Sequence, residues 1–163
     1  MLSLTDFIVS SKTLFFPFLR AKGVKMKKGG CLCGKIVYEF LGEPIKTMLC
    51  HCINCKRMTG SSYSTNISVR STSLRIVGSP RQFLLKSGQG PIFTVSFCGT
   101  CSSTLWKESD AEGLKGFIMV QAGTLAQGLD RYPPDGKIFA RERVKWMRPM
   151  EDVEQFEGTD VRL

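Results

Sequence analysis

Long apolar runs, internal repeats, acidic residues and histidine are what this 163-residue chain has least of. No stretch approaches the run of about 18 apolar residues that a spanning helix needs, which excludes a helical membrane protein and leads us to expect a soluble one. The absence of repeats and low-complexity tracts leaves an ordinary globular composition, with 42% hydrophobic and 23% charged residues. No secretory signal is legible: in Thr13-Leu-Phe-Phe-Pro-Phe-Leu19 the basic residues follow the apolar patch, and Pro17 interrupts it. Seven cysteines are an odd number. Without a signal for export, they are not read as a disulfide framework. The one histidine, His51, stands inside the densest cysteine cluster.

Acidic residues number 14 against 23 basic ones, a net charge of +9. The imbalance is local: residues 1–105 carry +11, and the remainder carries −2. A basic face favours anionic partners, either acidic small molecules or nucleic acid, although a solvated basic surface is the commonest reason for any single lysine. No aromatic-interleaved nucleic-acid motif accompanies the charge. At this length one domain is expected, over 27–158, with an extension at 1–26 and a tail at 159–163. The extension is acid-poor and contains Ser, Lys and Arg, as a mitochondrial presequence would. We read it as an extension of a cytoplasmic protein.

From Lys27 the sequence becomes a succession of short β-favouring runs. Ile36, Tyr38 and Phe40 alternate with Lys35, Val37 and Glu39, giving a strand entered through a Gly-rich cysteine turn. Further strands are predicted at 45–49, 63–69, 74–77, 82–85, 92–97, 104–106 and 117–122, and a last one from Ile138 to Trp146. Ser, Gly and Pro clusters separate several of them. One helical turn is predicted from Asn54 to Met58, closed by Gly60. The fold expected is mainly β, in short antiparallel sheets.

The cysteines fall into three groups: Cys31 and Cys33; Cys50, Cys52 and Cys55; Cys98 and Cys101. Zinc takes thiolates at about 2.3 Å in a tetrahedron, and thiols closely spaced on tight turns can supply its corners. Seven thiols divide as four plus three. The two outlying pairs complement one another in a closed, structural site. The cluster at 50–55 grips a second ion and leaves one position open, the pattern of catalytic zinc. Pairing 31 and 33 with 50 and 52 instead would leave 98 and 101 with two ligands. In an extended segment His51 points away from Cys50 and Cys52, so it is read as a hydrogen-bonded neighbour, with ligation or proton transfer as the other reading.

Taken together, Gly-Gly-Cys31-Leu-Cys33-Gly, Cys50-His-Cys52-x-x-Cys55 with Gly60, and Phe97-Cys98-x-x-Cys101-x-Ser-x-Leu-Trp106 resemble the glutathione-dependent formaldehyde-activating enzyme family, which includes centromere protein V. The resemblance covers about 27–156, and Gly123-Thr-Leu125 and Trp146 are similar to family features. It implies an Mss4-like fold, a structural zinc on Cys31, Cys33, Cys98 and Cys101, and a second zinc on Cys50, Cys52 and Cys55, which then count as catalytic. The implied chemistry is that of a carbon-sulfur lyase acting on a glutathione, or other thiol, adduct of formaldehyde or a related aldehyde. Lys56 and Arg57 are candidates for holding the carboxylates of glutathione. Ser102 stands where the family has Gly, Ala126-Gln127 where acidic residues are common, and Lys137 where a histidine is often found. The competing expectation is a non-catalytic, zinc-stabilised protein that binds nucleic acid or another acidic partner.

Overall fold

A computed structural model describes residues 25–86, 90–148 and 150–158. Among them the chain forms eleven strands and one α-helix: β1 Met26–Gly30, β2 Val37–Leu41, β3 Lys46–Cys50, α1 Ile53–Thr59, β4 Ser64–Arg70, β5 Leu74–Val77, β6 Arg81–Lys86, β7 Ile92–Phe97, β8 Thr104–Ser109, β9 Phe117–Gln121, β10 Gly136–Ile138 and β11 Glu154–Gln155. No described helix is long and apolar enough to cross a membrane.

The strands make two sheets, β1-β2-β5 and β11-β10-β3-β4-β9-β8-β7-β6. The alternation of Ile36, Tyr38 and Phe40 turns one face of the small sheet inward, and it packs on Ile67, Val69, Leu105, Trp106, Ile118 and Val120 of the large sheet. Tyr38 and Trp106 meet edge to face at 6.0 Å between centroids, a geometry that adds roughly 1 kcal/mol to simple burial. The Tyr38 hydroxyl reaches Thr124 Oγ1 at 2.7 Å. That places the Gly123-Thr-Leu125 segment against the small sheet, where Leu125 bridges Gly29. Gly29 itself lies across from Tyr38, and a Cβ there would stand 2.2 Å from the tyrosine oxygen. Only glycine lets the ring lie so close.

Three expectations are corrected. The strand from Ile138 to Trp146 does not form: β10 stops at Ile138, Phe139 takes a left-handed φ of 54°, and Ala140–Glu142 winds into a 3-10 turn. The backbone bond from Met147 N–H to the Val144 carbonyl continues the turning path. The large sheet is mixed rather than antiparallel, because β10 runs parallel to both β3 and β11. The Gly-rich cysteine turn forms at Cys31–Gly34, but Met26–Gly30 before it is a strand, β1. Its buried positions include Lys27, which no apolar periodicity reveals; its ammonium meets Glu43 at 2.8 Å. The proposed extension and tail lie outside the described residues except for Lys25 and Met26, and Met26 already belongs to β1.

Candidate metal centres

Two hairpin loops build the four-thiol group. Between β1 and β2 the chain turns tightly: the Cys31 N–H donates to the Ile36 carbonyl at 2.9 Å, Gly34 takes a φ of 74°, and the Ile36 N–H points at Cys31 Sγ at 3.2 Å. Between β7 and β8 the same device recurs, with Cys98 N–H on the Ser103 carbonyl and Thr100 N–H on Cys98 Sγ. Leu32 N–H to Ser103 Oγ at 3.0 Å stitches the two loops together. Ser102 holds a φ of 59°. The turn thus keeps the left-handed geometry that favours glycine, at a cost of roughly 1–2 kcal/mol for a side-chain-bearing residue.

Cys31 and Cys33 sulfurs lie 3.5 Å apart, Cys33 and Cys98 lie 3.7 Å apart, and all four sulfurs fall within 4.8 Å of one another. A zinc tetrahedron with bonds of about 2.3 Å requires sulfurs about 3.8 Å apart, so the group fits a single ion with little movement. The Ser103 hydroxyl and then its backbone bring the Cys101 thiol down to about 5. Backbone and hydroxyl donors aimed at sulfur favour the thiolate form that a metal needs.

The second group forms where β3 runs into α1. Cys50 ends the strand, Cys52 caps the helix by accepting the Cys55 N–H on sulfur, and Cys55 projects from the first turn. Gly60 closes α1 with a φ of 62°. The Cys50 and Cys52 sulfurs are 3.5 Å apart, and the three sulfurs all lie within 4.8 Å. Among the described residues no fourth His, Cys, Asp or Glu joins this second group. His51 has its ring edge-on to Tyr63 and lines a separate cavity, so it is not part of the thiol cluster. Neither ring nitrogen finds a hydrogen-bond partner of good geometry. Burial lowers its pKa, the Ser62 backbone pulls it upward, and the charges of Lys137, Lys56 and Arg143 oppose its protonation.

Lys107, on β8, was not foreseen. It is 7% exposed, and its ammonium lies 3.2 Å from Cys55 Sγ. Bonds from Cys50 and Cys52 hold Cys55 far below the ordinary thiol range, with Lys107 adding to them against burial, while Cys50 is pushed up by Cys52 and Cys55. Burial opposes the Lys107 charge. The interaction with Cys55, followed by that with Cys50, outweighs it and raises its pKa. The available signal was alternation: Lys107 shares the strand face of Leu105, which is 0% exposed. Of the predicted carboxylate contacts, Lys56 donates to the Glu142 carbonyl and Arg57 is exposed; neither lines either of the two cavities described below.

A groove of about 460 Å³ runs between the end of α1 and the loop after Cys101, lined by Thr59, Ser61, Tyr63, Ser103, Thr104 and Gln121 among others. Residues 26–142 match the family of the glutathione-dependent formaldehyde-activating enzyme. The chain belongs to this family. The matched segment holds both thiol groups, Lys107 and the groove-lining residues from Thr59 to Gln121. Among solved structures, the chain is similar to a crystal structure of a Rhodobacter sphaeroides protein, at 22% identity and a TM-score of 0.49, over 64% of this chain and 92% of that one. No curated protein matches.

Proposed function

We propose that the chain is a zinc-dependent carbon-sulfur lyase acting on the adduct of glutathione and formaldehyde, with Cys50, Cys52 and Cys55 as its working metal ligands. The observation that carries this reading is the inequality of the two thiol groups: one has four donors, and the other has three with a buried ammonium against it. Cys50, Cys52 and Cys55 would hold a zinc ion with one position left open, and the ion would supply the charge that favours the thiolate form of a substrate thiol near neutral pH.

The roles of the chain's own groups follow from where they stand. Cys52 and Cys55 are pinned by the first turn of α1 and Cys50 by the β3 ladder, so the cluster is fixed before any ligand arrives. Lys107 offsets negative charge that would otherwise accumulate in a buried site. The hydroxyls of Thr59, Ser61 and Ser103 and the Gln121 amide line the groove and suit the peptide groups of glutathione. Arg57, one turn along α1, is free to meet a carboxylate, whereas Lys56 is tied to Glu142. In the synthetic direction the glutathione sulfur bonds to the formaldehyde carbon, the carbonyl π pair moves to oxygen, and the proton lost by the thiol is balanced by one gained at the new hydroxyl. Cleavage is the reverse.

Exchange spectroscopy by NMR on a mixture of formaldehyde and glutathione tests the reading. The zinc-loaded protein is expected to accelerate interconversion of free formaldehyde and the S-hydroxymethyl adduct well above the spontaneous rate. An unchanged exchange rate with both thiol groups loaded would overturn it.

A further inference from the structure

On the other side of β3 from the thiols lies a cavity of about 200 Å³, lined by Leu49, His51, Tyr63, Lys137, Arg143 and Arg148 with Met147 and Met150. Its polar lining is donor-rich and cationic. Lys137 and His51 are each 1% exposed. Lys137 donates to the Met150 carbonyl at 3.0 Å, and Arg143 donates to the Met147 carbonyl, so the C-terminal turns hold both cations over the cavity. The Arg143 Nε is buried without a hydrogen-bond partner, and neither ring nitrogen of His51 has one of good geometry.

Among the described residues no carboxylate lines this cavity. The ion pairs Lys27–Glu43 and Lys115–Glu112 involve no residue that lines this cavity. Glu142, beside Arg143 in sequence, directs its carboxylate to the Ile53 N–H. Burial, and then Arg143, lowers the pKa of Lys137, the opposite of what a counter-charge would do. Buried cations and orphaned donors around a hollow are costly unless something anionic completes them.

We propose that this cavity is a binding site for a small carboxylate, held by Lys137 and Arg143, with the His51 ring and Tyr63 beside them. Its size sets the scale: at about 30 Å³ per water in the liquid, 200 Å³ takes a group of a few heavy atoms and not a whole tripeptide. Two sources share that chemistry. One is a free short-chain acid; the other is a terminal carboxylate of the thiol substrate, reaching in past Tyr63, which lines both this cavity and the groove. The site itself does not depend on the zinc chemistry proposed above.

Titration calorimetry with acetate and malonate at constant ionic strength, on the zinc-loaded full chain, tests the site. Saturable binding is expected, weakened about ten- to a hundredfold in Lys137→Met and in Arg143→Met, as the loss of one charge-assisted bond implies. Using both variants guards against one failing to fold, which circular dichroism reports. If glutathione displaces malonate and glutathione amidated at its glycine end does not, the site serves the substrate. If neither displaces it, the site serves a free acid, and the proposal stands independently of the lyase reading. Absence of saturable binding, or equal affinity in both folded variants and the native protein, would overturn it.

Discussion

Cys98→Ser is expected to abolish the cooperative unfolding transition and leave a chain with little fixed tertiary structure. Cys98 is 1% exposed, at the end of β7, and with Cys101 it faces Cys31 and Cys33 across more than sixty residues of chain. A closed structural zinc site carries about 10–16 kcal/mol of apparent binding free energy, which becomes folding free energy when the apo site does not persist. A domain of this size has roughly 5–15 kcal/mol of net stability, so losing most of that term exceeds what the core can absorb. Cys98 also belongs to the hydrophobic core, which makes the exposed Cys33 the cleaner control. Cys33→Ser should lower the melting temperature severely while leaving core packing untouched. Thermal melts followed by near-ultraviolet circular dichroism decide the matter; a native-like melt for both variants would refute the structural role.

Lys107→Met is expected to leave the fold intact and loosen the metal in the three-thiol group by about ten- to a hundredfold, the worth of one charge-assisted bond of about 1.5–3 kcal/mol. Zinc with three thiolates carries a net negative charge, and Cys55, 3% exposed, sits in a poorly solvated place. The ammonium, 3.2 Å from Cys55 Sγ, would bring such an assembly to neutrality. Methionine matches the length of the lysine stem and packs on the same neighbours, so the change removes charge with little loss of volume. Competition with a colorimetric zinc chelator should show one of the two ions released faster, with Lys107→Arg keeping more of the native retention. Equal retention in Lys107→Met and the native protein would show that the charge plays no part.

The partition of the thiols was legible because thiol spacing is a local property. Cys31 with Cys33, and Cys98 with Cys101, lie on tight turns whose geometry a few residues determine, and the β runs between them alternate clearly. Strands at Leu74–Val77 and Ile92–Phe97 form where alternation and turn residues predict them. The failures share one cause, structure set by distant partners. β1 is held by pairing with β2 and by the Lys27–Glu43 contact rather than by its own apolar pattern. The run after Ile138 has β-favouring residues, yet parallel pairing of β10 with β3 ends there and Phe139 turns the chain away. Lys107 reads as one more solvated lysine until β8 places it against Cys55. The cationic cavity is similar: Lys137 and Arg143 meet His51 only because β10 lies beside β3.

On the proposed reading the two thiol groups hold separate zinc ions with separate tasks. The most direct measurement is zinc per chain, by elemental analysis on native protein and on Cys55→Ser, with glutathione–formaldehyde exchange followed on the same samples. Two ions falling to about one, with the melt largely preserved and the accelerated exchange lost, is the expected result. A native protein that holds one zinc, or a Cys55→Ser variant that exchanges as fast as native, would contradict it and favour a zinc-stabilised binding protein.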